Sequence, residues 1–117
     1  MLTNYMAPPE YFTMTAAEVA SKSNGCGPEG ESWKDRLAFD LIPGKVFGID
    51  IEEPCRIHDI EYGLGRNKPL ADSRLGGNLV LACLLQKPHM LAEFMLVVAA
   101  YVQAVSAAGD EHFGTRS

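Results

Sequence analysis

The sequence predicts a mainly α-helical protein with a single domain over residues 1–117, and three observations support this prediction. The chain has 117 residues, 47% of them hydrophobic, which is enough for one compact core and too little for two. Residues 24–51 contain too many glycines and prolines for a long regular element and are expected to form a loop. The segments that follow have the lengths and the bounding residues of helices.

Four helices are predicted in chain order, after an extended arm over residues 1–14. Thr15 and Glu18 fit a capping box, which predicts a helix over 15–22. The other helices are predicted over 54–65, 70–86 and 89–108, with boundaries at Pro54, Gly63 or Gly65, Pro69, Pro88 and Gly109. The segment 45–51 has some β character, but one short strand without a clear partner would be marginal.

The predicted C-terminal helix is apolar around most of its circumference. Its length approaches that of a membrane span, but Glu93 and Gln103 oppose such a location. We therefore expect it to be buried in the core or in a homodimer, with lipid contact as the alternative. Within 70–86, Gly76 and Gly77 are expected to permit close helix packing, and Cys83 to be a small buried apolar residue.

Composition excludes some classes of function. The net charge is −5, and the ten Lys and Arg residues are dispersed, which argues against a nucleic-acid-binding protein. The N-terminal residues lack a basic region followed by an apolar run, so no secretory signal is expected. Three cysteines allow at most one intrachain disulfide and one free thiol.

The segment 52–63, "EEPCRIHDIEYG", carries several residue types that perform chemistry. On a helix, His58 and Tyr62 share a face because they are four residues apart, whereas Asp59 is turned by about 100°. A histidine and a carboxylate in this arrangement can serve as a proton acceptor and a metal ligand side by side. If the next helix returns antiparallel through residues 64–69, Asp72 reaches the face that holds His58 and Tyr62.

Upstream, "NGCGPEG" at 24–30 is expected to form a tight turn that can present backbone carbonyl oxygens. Calcium binds such oxygens together with a carboxylate. Taken alone the segment is more often only a turn.

The pattern Cys55-x-x-His58-Asp59-x-x-Tyr62, preceded by Cys26-Gly27-x-x-Gly30 and followed by Ala71-Asp72, resembles the secreted phospholipase A2 superfamily, including its minimal viral and bacterial members. The matching residues span 24–80. The resemblance implies a phospholipase A2-like fold, with two antiparallel catalytic helices preceded by a glycine-rich calcium loop. It also implies calcium-dependent hydrolysis of the sn-2 acyl ester of glycerophospholipids, with a phospholipid membrane as the substrate.

The resemblance also implies a role for each matching residue. His58 corresponds to the general base, Asp72 to the carboxylate that orients it, and Tyr62 to a tyrosine that hydrogen-bonds this carboxylate. The implied ligands of Ca²⁺ are the side chain of Asp59 and the carbonyls of Gly25, Gly27 and Glu29. The Gly27 N–H corresponds to the oxyanion donor, and Cys26 and Cys55 to a disulfide between loop and helix.

The chain also departs from the family pattern. Glu29 stands where the family usually has glycine, Pro54 replaces the first of two adjacent cysteines, and no tyrosine between Tyr62 and Asp72 gives the aspartate a second support. A non-catalytic binding or structural module on the same fold, in a phage or secretion system, is therefore the first alternative. A metal-dependent phosphohydrolase built on the His-Asp pair is the second, although such sites need upstream histidines and His89 and His112 lie downstream, where they are expected to be solvated.

The expected absence of a secretory signal and the calcium requirement that the resemblance implies together bear on location. We expect the protein to act extracellularly, after leaderless export or as a component of a virion or secretion system.

Overall fold

The computed structural model describes residues 2–22 and 45–108, and most of these are helical. The helices are α1 (Pro9–Thr13), α2 (Ala16–Lys22), α3 (Glu52–Leu64), α4 (Lys68–Gln86) and α5 (Leu91–Ala108), with a 3₁₀ turn at Pro88–Met90. Two short strands, β1 (Lys45–Val46) and β2 (Ile49–Asp50), precede α3. The prediction of a mainly α protein is confirmed, whereas the predicted loop over residues 24–44 lies outside the described residues.

Local signals in the sequence placed several helix ends correctly. The Thr15 N–H donates to Glu18 Oε1 at 2.9 Å, and the Glu18 N–H donates to Thr15 Oγ1 at 3.1 Å, so the predicted capping box forms. Gly65 ends α3 in the left-handed conformation, with φ of 63°, and its N–H bonds the Glu61 carbonyl. These ends were predictable because the groups that satisfy them lie within four residues.

The prediction of an extended arm over residues 1–14 is wrong at α1. Pro8 caps this helix and Pro9 occupies its first turn, where the missing N–H and the fixed φ of proline are favourable. Tyr11 is fully buried with Val19, Ile57 and Ile60. Such a short helix depends on this burial, which cannot be seen in the local sequence.

The segment 45–51 provides both strands of a small hairpin. Lys45 pairs with Asp50 and Val46 with Ile49, across a turn at Phe47 and Gly48 in which both residues have positive φ. The missing strand partner is therefore the second half of the same segment.

The start of α4 is two residues earlier than predicted, because the Asn67 side chain accepts a hydrogen bond from the Leu70 N–H at 3.0 Å and caps the helix.

The main core lies between β2, α3, α4 and α5. Its fully buried side chains include Ile49, Ile51, Leu79, Phe94 and Val105, together with the free thiol of Cys83. A Cβ atom added at Gly76 of α4 would lie 2.9 Å from Val102 Cγ2 of α5. The predictions of close packing at Gly76 and of a buried Cys83 are thus confirmed.

The N-terminal segment is held against α4 by Asn78, which is completely buried. Its side chain accepts from the Met6 N–H and donates to the Met6 carbonyl, both at 2.8 Å. One amide group therefore satisfies both backbone groups of Met6, as a neighbouring strand would.

We expect Asn78→Leu to lower the free energy of unfolding by about 1–2 kcal/mol, because both backbone groups of Met6 lose their partner in a partly buried place. Urea unfolding measures this loss, and limited proteolysis should cut the N-terminal segment faster. Asn78→Asp is the matched variant, because it keeps the acceptor for Met6 N–H and loses the donor. Equal protease resistance of wild type and Asn78→Leu would show that other contacts hold the segment.

Candidate active site

The candidate site lies where α3 packs on α4, joined by the short connection at Gly65–Asn67. His58, Asp59 and Tyr62 on α3 and Asp72 on α4 are all buried, and His58 is only 3% exposed. Because ionisable side chains are seldom buried without partners, their contacts indicate what the site can do.

Asp72 receives two hydrogen bonds from α3 on the same oxygen. His58 Nε2 lies 2.8 Å from Asp72 Oδ1, and the Tyr62 hydroxyl donates to Oδ1 at 2.7 Å. The His58 and Tyr62 rings are 4.2 Å apart between centroids. The structure thus brings together the three residues expected to share one face.

The hydrogen bond to Asp72 determines the tautomer of a neutral His58 ring. A carboxylate only accepts hydrogen bonds, so Nε2 carries the proton and Nδ1 keeps its lone pair. A histidine held in this way can accept a proton at Nδ1.

Lys68 is also part of this site, although no sequence motif indicated it. Its Nζ donates to Asp72 Oδ2 at 2.9 Å and lies 6.0 Å from the centre of the Tyr62 ring. It therefore contacts the carboxylate oxygen that His58 and Tyr62 leave free, and it supplies the second support for which no tyrosine was found. The spacing of four residues between Lys68 and Asp72 was the available signal.

The electrostatics of Asp72 follow from these contacts. Burial acts to raise the pKa of its carboxyl group, but hydrogen bonds from His58, Tyr62 and Lys68 outweigh burial and hold the pKa below its ordinary value. Asp72 is therefore a carboxylate at neutral pH, as a group that orients a histidine must be.

Asp59 is the part of the expected calcium site that can be located. It is buried on α3, one residue after His58, whereas Gly25, Gly27 and Glu29 lie outside the described residues, as does Cys26. Within residues 2–22 and 45–108, no group of three or more His, Cys, Asp or Glu side chains could hold a metal ion. The Asp59 carboxylate is a hard oxygen donor of the kind that Ca²⁺ prefers, and the remaining ligands would have to come from the expected carbonyls.

A second pair of charged residues joins α3 to α4 beside the candidate site. Arg74 donates to Glu61 Oε2 at 2.6 Å, and the buried Oε1 atom has no hydrogen-bond partner among the described residues. Burial raises the pKa of the Glu61 carboxyl group, and the guanidinium of Arg74 opposes this effect. The pair fixes the two helices against each other because a lone charge at Glu61 would be costly.

We expect Arg74→Met to lower the free energy of unfolding by about 2 kcal/mol at neutral pH, because it removes the charged hydrogen-bond donor of the buried Glu61 carboxylate. Denaturant unfolding measures this loss. Arg56→Met is the matched control, since Arg56 pairs with Glu52 at the surface and its removal should change stability little. Equal free energies of unfolding for Arg74→Met and the control would show that the Glu61–Arg74 pair does not contribute to stability.

Several large apolar side chains are exposed near the α4–α5 turn. Leu84 and Leu85 at the end of α4 and Met95 and Leu96 near the start of α5 are exposed. The segment Pro88–Ala107 is also long and apolar enough to cross a membrane, a criterion that core helices of soluble proteins also meet. One face of α5 is buried in the core as predicted, while homodimer or lipid contact at the other face stays a prediction.

His89, expected to be solvated, is exposed in the 3₁₀ turn, and His112 lies outside the described residues.

Comparisons with protein-family models, with curated proteins and with solved structures each find no match to this chain.

Proposed function

We propose that the protein is a phospholipase A2-like enzyme that hydrolyses the sn-2 acyl ester of glycerophospholipids with calcium as its cofactor. The observation that carries this proposal is the buried set of His58, Tyr62 and Asp72, in which the histidine and the tyrosine both bond Asp72 Oδ1. The proposed fold is accordingly phospholipase A2-like, with α3 and α4 as the two catalytic helices.

His58 is the proposed general base. Its Nε2–H bond to Asp72 leaves the Nδ1 lone pair to take a proton from a water molecule as that water attacks the ester carbonyl. Asp72 then stabilises the imidazolium, while Tyr62 and Lys68 hold the carboxylate in place. Water is the nucleophile, so no acyl-enzyme forms, and the proton on His58 passes to the leaving alcohol.

The side chain of Asp59 and the carbonyls of Gly25, Gly27 and Glu29 would hold calcium, and the Gly27 N–H would face the developing oxyanion. When bound, calcium supplies positive charge that attracts the substrate phosphate and polarises the ester carbonyl. Asp59 lies next to His58 in the sequence, so α3 would place a metal ligand and a proton acceptor side by side.

The proposed substrate is presented by a membrane surface. The exposed apolar side chains at Leu84, Leu85, Met95 and Leu96 support contact with such a surface. Action outside the producing cell, after export or within a virion or secretion system, belongs to the same proposal, as does a homodimer through α5.

The test is fatty-acid release from phospholipid vesicles, with calcium titrated by calorimetry in parallel. We expect release in calcium and none when calcium is chelated, with the fatty acid coming from the sn-2 position of a lipid labelled differently at its two chains. Calcium binding without release from any of several lipids would favour the non-catalytic module. A preference for a transition metal over calcium would favour the phosphohydrolase.

A further inference from the structure

We propose that Lys68 is a positioning residue that joins the C-terminal end of α5 to Asp72, so that the docking of α5 sets the orientation of the carboxylate behind His58. This inference rests on the proposed function for its catalytic consequence. Its structural part, a change at the His58 ring when the joint is broken, can be tested without any activity.

The contacts of the Lys68 ammonium carry the first step. Its Nζ lies 2.9 Å from Asp72 Oδ2, 3.2 Å from the Val105 carbonyl and 3.4 Å from the Ser106 carbonyl. An ammonium group has three N–H donors, so it can donate to each of these acceptors. The side chain is only 16% exposed, which limits the access of water to the ammonium group.

The two carbonyls belong to the last turn of α5, which ends at Ala108. The last four carbonyls of a helix have no partner within it and carry the negative end of its dipole, so a lysine is favourable there. Lys68 therefore serves as the C-terminal cap of a helix that is distant in sequence.

The same ammonium fixes the rotation of Asp72. His58 and Tyr62 both bind Oδ1, and contacts at one oxygen allow a carboxylate to pivot about that oxygen. Lys68 binds Oδ2, which holds the second point of the planar group. Because the ammonium is also held by α5, the orientation of Asp72 depends on where α5 ends.

The position of that end is set by packing. Val105 is completely buried in the main core, and Val102 contacts Gly76 of α4 closely. Displacement of α5 would move the two carbonyls and withdraw the ammonium from Asp72. The most apolar helix among the described residues is thereby connected to the candidate catalytic pair.

The experiment compares Lys68→Met with Lys68→Arg, which keeps a cation at the position, and with Val105→Ala, which loosens the end of α5 without changing Lys68. Lys87→Met is the matched control. Lys87 also donates to a backbone carbonyl, that of Phe47, but it makes no contact with Asp72. Three properties are measured: kcat and KM for fatty-acid release, the ¹⁵N NMR signals of the neutral His58 ring, and the unfolding temperature.

For Lys68→Met we expect kcat to fall about 10-fold with KM nearly unchanged, because a residue that positions a functional group through a hydrogen bond typically contributes about that much to activity. The ring signals should move from a pure Nε2–H tautomer toward a mixture. Lys68→Arg should recover most of both properties, Val105→Ala should show a smaller change in the same direction, and Lys87→Met should match the wild type.

A lower unfolding temperature for Lys68→Met, with kcat and ring signals like those of the wild type, would overturn the proposal and leave Lys68 as a helix cap only. Unchanged ring signals in Val105→Ala, despite a change in Lys68→Met, would also overturn the connection to α5. If the wild type releases no fatty acid, the proposed function fails, and the ring signals still decide the role of Lys68. Should Lys68→Met not fold, Lys68→Gln, which removes the charge, carries the same expectations.

Discussion

His58→Gln is expected to abolish fatty-acid release while leaving the fold and calcium binding nearly intact. Glutamine has a similar size, and its amide can donate to Asp72 Oδ1 as the His58 ring does, so the buried carboxylate keeps a partner. An amide cannot accept a proton near neutral pH, and general base catalysis typically contributes about 10²–10⁴-fold to a rate. The loss should therefore appear in kcat and be at least about 10²-fold.

Fatty-acid release from vesicles measures this effect, with circular dichroism to verify the fold and calorimetry to verify calcium binding. His89→Gln is the matched control, because His89 is exposed in the 3₁₀ turn and should be dispensable. Activity of His58→Gln within a few-fold of the wild type would show that another group takes the proton, and the assignment of the base would be wrong.

Asp59→Asn is expected to remove most of the calcium affinity and, as a consequence, the activity. The substitution keeps the size of the side chain but removes the negative charge that a hard divalent cation requires. Residues that only hydrogen-bond a metal ligand contribute about 10-fold or more to metal affinity. A direct ligand should contribute at least that much to calcium affinity. The ring signals of His58 should stay close to those of the wild type, because Asp72, Tyr62 and Lys68 are unchanged.

Calcium titration by calorimetry measures the affinity, followed by fatty-acid release over a range of calcium concentrations. Asp50→Asn is the matched control, since Asp50 is an exposed carboxylate at the end of β2. High calcium should restore part of the activity of Asp59→Asn and none of the activity of His58→Gln. Unchanged calcium affinity in Asp59→Asn would exclude Asp59 as a ligand.

Much of the helical framework was determined by local sequence. The capping box at Thr15 and Glu18 and the left-handed glycine at the end of α3 satisfy backbone groups within one turn, so short patterns were sufficient to predict them. The shared face of His58 and Tyr62 followed from helical periodicity alone. The expectation that Asp72 returns to this face depended only on a short connection between two helices.

Other features were decided by contacts between distant segments. α1 depends on burial of Tyr11 against α3, the N-terminal segment is held by Asn78 of α4, and the second support of Asp72 is a lysine that also caps α5. The spacing between Lys68 and Asp72 predicts only a surface ion pair. In the folded protein, Lys68 and Asp72 lie beneath the end of α5 and belong to the candidate active site. An ammonium group that is removed from water needs other acceptors, and the tertiary structure supplies them from α5.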